Sequence, residues 1–574
     1  MKLNKWALAL LAGFVAVAIF AFWQTHRTDS ILPTKNTQPV VLAGNTPASL
    51  KQAEFIRHSD PAKPITVAVG LQLHNEPQLE TLLAAQADPN SPEFRKYLTP
   101  DEFANRFGPT QQEYDLVSAY LKSKGLKVAG TYPNRLIVVA EGSLAQMESA
   151  FGVTINEYRY MGGVQISNDA DPSVPGYLQG VVQSVSGLNT FAEFRSKYRR
   201  DSSFQHMPHS SAPSGFTPRD IATAYNYPNA NNTAAGDKYS GAGRTVAIAT
   251  AYSYSQADVN AYWRQFGITR TGKVTNIPIA GTTNQLEGET TLDLQQVGGQ
   301  APGADILMYL GHDPKFTTFA MIFNQIVVDN KADVVSVSWG LCERDTGPSQ
   351  MKTENDIFKQ GAAQGMAVFA SSGDDGAYDC RPDPNEKDPA KKKPILSVDY
   401  PSSDPNVVAV GGTMLILNMD QSRALESAWV SGGGGISSVY ARPAWQSGPG
   451  LPAGDKRVTA DVSLVSDPMT GYAMYFEGDW GQSGGTSFAA PAWAGLWALM
   501  DEAVGGRLGH PLPILYAIGR SADYSKVFYD VTSGSNGDGR GPGYSSGTAW
   551  DYPTGWGTPN GGELAQWLKT CCTK

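Results

Sequence analysis

Cysteine is scarce, with four in 574 residues. That excludes a disulfide-stapled small domain and a cysteine-rich zinc protein. Charge is also sparse, with 17% Asp, Glu, Lys and Arg against roughly a quarter in an average soluble domain. The balance is acidic, 45 basic against 54 acidic residues, a net charge of −9. No dense basic run occurs beyond Lys391-Lys392-Lys393, which argues against nucleic-acid binding. Histidine is limited to seven positions, His26, His58, His74, His206, His209, His312 and His510. What is plentiful is core material, 41% hydrophobic and 10% aromatic, so the chain is neither disordered nor of low complexity. The 60 glycines and 37 prolines lack a collagen period and mark turns.

One long apolar run exists, Trp6 to Trp23, preceded by Lys2 and Lys5 and followed by polar residues. A basic start followed by a long apolar stretch is the pattern of an export signal, with Ala16-Val17-Ala18 as a candidate cleavage site. Its length also meets the lower limit of a bilayer span, so an uncleaved anchor is the alternative. The expected location is secreted, periplasmic or extracellular, and membrane-anchored if the segment stays.

The expected organisation is a signal or anchor at 1–29, a Pro/Thr/Asn/Ala-rich linker at 30–62, a small α+β domain at 63–195, a processing linker at 196–216 and a large α/β domain at 217–574. In the small domain, Ile65–Val69 and Leu136–Val139 read as strands, and Thr99–Glu102, Thr110–Glu113 and Ser143–Gln146 as capped helix starts. That mixture suggests an antiparallel sheet with helices. Residues around 200–216 are Ser-rich and Pro-containing, a segment open to proteolysis. From about 240 the apolar runs Thr245–Ala249, Ile306–Leu310, Val334–Val337 and Met366–Ala370 alternate with helical stretches such as Phe319–Val328. These predict a parallel sheet covered by helices on both faces, with its site at the carboxyl ends of the strands.

Three motifs suggest chemistry, and each has a plainer reading. Gly484-Gly485-Thr486-Ser487, followed by Pro491, puts a serine at the start of an apolar helix, either a nucleophile or a capping residue. Neither His312 nor His510 stands in the Gly-rich, helix-starting context that would supply its base, which argues against a Ser-His-Asp triad and leaves a His-dependent serine hydrolase as an alternative. Glu289 and Asp293, four apart, share a helix face, either as an alternative base or as a solvated acidic turn. Ser372-Gly373-Asp374-Asp375-Gly376 ends a strand, either a site loop or an ordinary turn.

Together and in this order, the motifs resemble the sedolisin family of serine-carboxyl peptidases. The resemblance implies a subtilisin-like fold with an activation prodomain of the pro-kumamolisin type over about 62–192. Asp88-Pro89-Asn90-Ser91-Pro92 and Tyr97-Leu98-Thr99-Pro100 carry that part of the likeness. It implies that Ser487, Glu289 and Asp293 form the catalytic triad, that Asp374 completes the oxyanion hole, and that Ser336–Gly340 lines the substrate cleft. Gly432–Gly435, Pro443 and Trp445-Gln446 also fit. It further implies one Ca²⁺ held by Asp530 and Asp551 side chains and the carbonyls of Val531, Gly547 and Ala549, the last standing where relatives usually have glycine. The expected activity is an acid-acting endopeptidase made as a self-processing zymogen, a monomer acting on proteins and peptides. A tripeptidyl-exopeptidase and an inactive binding relative are the alternatives. A carboxylate base stays ionised at pH values where histidine is protonated, which suits acid. Cys342 and Cys380 follow strands whose ends should be neighbours and are disulfide candidates worth about 3–4 kcal/mol in the chain-entropy model, against two free thiols. Cys571 and Cys572 receive no role, and Lys387–Lys393 reads as a solvated loop.

Overall fold

The computed structural model describes residues 32–200, 213–281, 283–380, 393–537, 539 and 541–572. The Trp6–Trp23 run, His206, His209, most of the Ser-rich segment and Lys387–Lys392 lie outside the described residues. Among the described residues, no helix is long and apolar enough to cross a membrane.

The large domain is built on an eight-stranded sheet. Its strands are β1 (Thr245–Thr250), β2 (Val274–Pro278), β3 (Asp305–Leu310), β4 (Val334–Val337), β5 (Ala367–Ser371), β6 (Val408–Leu417), β7 (Arg423–Ala428) and β8 (Val462–Val465). The order is β2-β3-β1-β4-β5-β6-β7, with β8 also beside β6. All pairings are parallel except β6 with β7. Four helices position the site: α1 (Gly288–Gln300), α2 (Phe316–Asp329), α3 (Pro348–Ala363) and α4 (Thr486–Ala503). The strands are apolar on both sides because both faces are covered. Val246 and Ile248 of β1 join the core that contains α1 and α4, while Ala247 and Ala249 join the core that contains α2 and α3.

The prodomain sheet is antiparallel, ordered Lys127–Thr131, Ile137–Ser143, Pro64–Leu71, Val182–Ser186. Helices at Pro100–Arg106, Gln111–Ser123 and Leu144–Phe151 start at Thr99, Thr110 and Ser143, each with a reciprocal capping box. Val67, Val69 and Val138 face the prodomain's own helices, and Ala68, Ile137 and Val139 face α2 and α3. The prodomain sheet therefore uses both faces too, one for itself and one for the large domain. Polar bonds seal the join: buried Asn134 Nδ2 donates to Asn324 Oδ1 at 2.7 Å and to Gln360 Oε1 at 2.8 Å.

Residues 30–62 are not simply a linker. Pro39–Val41 pairs with Ser173–Pro175, and Glu54–His58 adds to a sheet with Ile155–Tyr160 and Gly163–Asn168. These strands are short, three and five residues, so the patterns that mark longer strands are too brief to advertise them.

Candidate active site

The sequence around Ser487 dictates its placement. Gly485 has φ of +120°, a conformation that a side chain resists, and a Cβ there would collide with the Lys197 carbonyl and the Asp374 carboxyl. The turn delivers Ser487 to the first turn of α4, where backbone N–H groups lack helical partners and the dipole favours negative charge. Pro491, inside the helix, has no N–H to give to the Ser487 carbonyl four residues back. Ser338 Oγ reaches that carbonyl at 3.3 Å.

The structure brings the four candidate residues together. Ser487 Oγ donates to Glu289 Oε2 at 3.0 Å. Glu289 and Asp293 lie one turn apart on α1, and with Ser487 they are 0% exposed, so the solvated-turn reading of this pair fails. Asp293 Oδ1 accepts from Ser338 Oγ at 2.5 Å. Glu289 Oε1 and Asp293 Oδ2 have no partner among the described residues. Burial, then the charge of Asp293, pushes Glu289 well above the usual carboxylate range. Burial does the same to Asp293, against the Ser338 hydrogen bond. Two desolvated carboxyls that repel each other disfavour both being ionised at once.

Asp374 follows the carboxyl end of β5. Its Oδ1 accepts from Thr486 N at 2.9 Å and Thr486 Oγ1 at 2.8 Å, and its buried Oδ2 has no partner among the described residues. Burial pushes its pKa up to about 6 despite the Thr486 bonds.

None of the described histidines bonds to Ser487. His510 does stand at a helix start, before Pro511–Gly519, but its ring lies edge-on to Trp445 and burial drives its pKa down to about 3. It is a neutral, half-buried side chain.

The cleft is filled by the chain itself. Arg195–Ser196 pairs antiparallel with Trp339–Gly340, and Arg199–Arg200 with Ser483–Gly484. Between these two pairings, Lys197 N donates to Ser338 O at 3.3 Å and to Glu289 Oε2 at 3.0 Å. Ser487 N donates to the Lys197 carbonyl at 3.1 Å. Residues 196–200 are thus no free linker but two strand additions across the cleft. Thr486 and Lys197 were not assigned roles from sequence, and Ser338 was placed only as part of the cleft-lining segment Ser336–Gly340. The one available signal was the alternation of cations at Arg195, Lys197 and Arg199.

Cys342 and Cys380 are disulfide-bonded, with Cα atoms 4.9 Å apart, at the edge of this cleft. Cys571 and Cys572 are bonded to each other at the end of the last helix.

The candidate calcium loop is also assembled. Asp551 Oδ2 accepts from Gly547 N and Asp530 Oδ2 from Ala549 N, both at 2.9 Å. Buried Asp530 Oδ1 has no partner among the described residues. Burial, with a smaller push from Asp530, raises Asp551 to about 7, although its bonds to Gly547 and Thr554 oppose this. An orphaned carboxylate oxygen beside a second desolvated carboxyl fits a hard cation, whose remaining ligands would be carbonyls. Among the described residues, no three His, Cys, Asp or Glu side chains cluster to hold a metal. Ala549 has φ of +65°, so the loop keeps a glycine-like angle without glycine.

A subtilisin-like core, a serine bonded to a buried glutamate and a prodomain threaded through the cleft define a class, the serine peptidases made with a prosegment. Comparison with known proteins agrees. Residues 51–191 match the family described as "Pro-kumamolisin, activation domain", and residues 273–556 match the subtilase family. Sedolisin from Pseudomonas sp. (strain 101) is 32% identical, the alignment covering 99% of this chain and 97% of the relative. Kumamolisin from Bacillus sp. (strain MN-32) is 29% identical over 92% of this chain and 96% of the relative. The solved structure of Pseudomonas sedolisin, a serine-carboxyl proteinase complexed with two molecules of pseudo-iodotyrostatin, matches 63% of this chain and 99% of its own with a TM-score of 0.54 and 32% identity. The chain belongs to the sedolisin family of serine-carboxyl peptidases.

Proposed function

We propose that the chain is an acid-acting endopeptidase that uses Ser487, Glu289 and Asp293 and is made as a zymogen that processes itself. The observation that carries this reading is the pair of bonds at Ser487: its hydroxyl on Glu289 and its backbone N–H on the Lys197 carbonyl. In this reading Glu289 takes the Ser487 proton as Oγ adds to the carbonyl carbon, and Asp293 shares the proton with it. The oxyanion is met by the Ser487 N–H and by Asp374 acting as a neutral acid, a role open to a carboxyl in an apolar site. The proton then passes to the leaving amine, and water releases the acid. Asp374 is protonated below about 6, so the donor is present in acid and absent above it.

Endopeptidase action is supported by the length of chain seated on the large domain before the Lys197 carbonyl: it includes Arg195 and Phe194, whose ring stacks on Phe319 with centroids 4.2 Å apart. Asp530, Asp551 and the carbonyls of Val531, Gly547 and Ala549 would hold one Ca²⁺, which would neutralise the loop's paired carboxylates. The basic, then apolar N-terminus supports export.

Incubation of denatured protein with the acid-processed chain should yield internal peptides with new N-termini. Ser487→Ala and Glu289→Gln should lose activity by roughly 10⁴-fold or more. Release of tripeptides alone would indicate exopeptidase action, and an active Glu289→Gln chain would remove Glu289 as the base.

A further inference from the structure

Resting on the peptidase reading above, we propose that Asp379 and Asp399 form a pocket that selects lysine on the acyl side of the scissile bond, and that the first self-cut falls between Lys197 and Tyr198. The backbone sets the register. The carbonyl on the Ser487 N–H is that of Lys197, and the chain is held as strand on both sides of it. Gly288 makes room for the next residue, since a Cβ there would strike the Tyr198 ring.

The side chain sets the specificity. Lys197 Nζ lies 2.5 Å from Asp399 Oδ2 and 3.2 Å from Asp379 Oδ1. The three side chains are 6%, 0% and 2% exposed, so the pocket is closed over the ammonium. Burial alone would depress the Lys197 ammonium; Asp379 and then Asp399 override it and hold its pKa above the ordinary value. An uncharged side chain here would leave two buried acids facing each other, which is costly. A compact ammonium on a flexible stem reaches both acids from one point.

The pocket is rigid. Asp399 pairs in register with Cys342, and the Cys342–Cys380 disulfide ties that strand to the residue after Asp379. Outside it, Arg199 Nη2 lies 3.1 Å from Asp375 Oδ1, but Arg199 is 40% exposed, so this contact contributes less.

The step balances with water alone. Ser487 Oγ bonds to the Lys197 carbonyl carbon as its proton passes to Glu289. The Lys197–Tyr198 C–N bond breaks with that proton delivered to the Tyr198 nitrogen. Water hydrolyses the ester, leaving a Lys197 carboxyl and a free Ser487 hydroxyl.

The full chain should be acidified and its earliest new N-terminus sequenced, and the processed enzyme then given one denatured protein with free or acetylated lysines. Tyr198 as the first new terminus, cuts mainly after lysine, and at least about a tenfold loss of those cuts on acetylation are expected. Asp399→Asn and Asp379→Asn should each lower kcat/KM for lysine peptides by about 10- to 100-fold relative to norleucine peptides. The norleucine reference separates a lost pocket from a misfolded chain. A first terminus elsewhere, or acetylated lysines cut as readily as free ones, would overturn the proposal and leave the peptidase reading standing. No cleavage of any chain would overturn that reading and this one with it.

Discussion

At the residue scale, the site depends on carboxyl groups that burial keeps from ionising freely. Asp374 is the sharpest case, since its free Oδ2 can donate only while protonated, and burial moves its loss of the proton to about pH 6. Activity should therefore fall as pH rises through that value. Asp374→Ala should lower kcat by roughly 10²–10³-fold. Asp374→Asn keeps an N–H donor that does not titrate, so it should retain more activity than Ala and decline less steeply with pH. Profiles of kcat/KM against pH for the three folded chains would check this, and an Asn chain as inactive as Ala would count against the donor role. Ala549 is a second residue with a defined cost. Its φ of +65° strains a residue with a Cβ by about 1–2 kcal/mol. Ala549→Gly recovers that but adds unfolded-chain freedom, so a net gain of up to about 1 kcal/mol is expected in thermal or denaturant unfolding. A less stable glycine variant would show that the loop tolerates alanine without strain.

At the scale of elements, the sequence was legible wherever periodicity and capping are strong. Val334–Val337 is a strand with the bounds read from its apolar run, and the capping boxes at Thr99, Thr110 and Ser143 start helices as read. The antiparallel strand Arg423–Ala428 and the strand Glu54–His58 were not legible, because they carry charged residues and lean on pairing rather than burial. Ser487, Glu289, Asp293 and Asp374 were legible as motifs, whereas Asp379 and Asp399 were not. Nothing local distinguishes those two acids, and their meeting depends on a strand pairing and a disulfide. The loop 530–551 offers an element-scale test. A chelator should lower the melting temperature of the wild type through loss of bound cation. Asp551→Ala should sit at the lowered value already and respond no further. A wild-type melting temperature unmoved by chelator would remove calcium from the account.

At the scale of the whole molecule, the prodomain acts on the large domain in two places. Its sheet covers α2 and α3, and its C-terminal strand runs through the cleft to Ser487. The first contact holds the prosegment and the second covers the candidate site, so in the proposed reading one polypeptide is both inhibitor and first substrate. Composition marked the region near 200 as cleavable, but the path through the cleft depends on both domains being folded. The most direct test is to acidify the wild-type chain and the Ser487→Ala chain side by side and follow intact mass with time. The wild type should lose its prosegment and gain activity on denatured protein, while Ser487→Ala should remain full length. Shortening of the Ser487→Ala chain at the wild-type rate would contradict the account, because the cut would then owe nothing to Ser487.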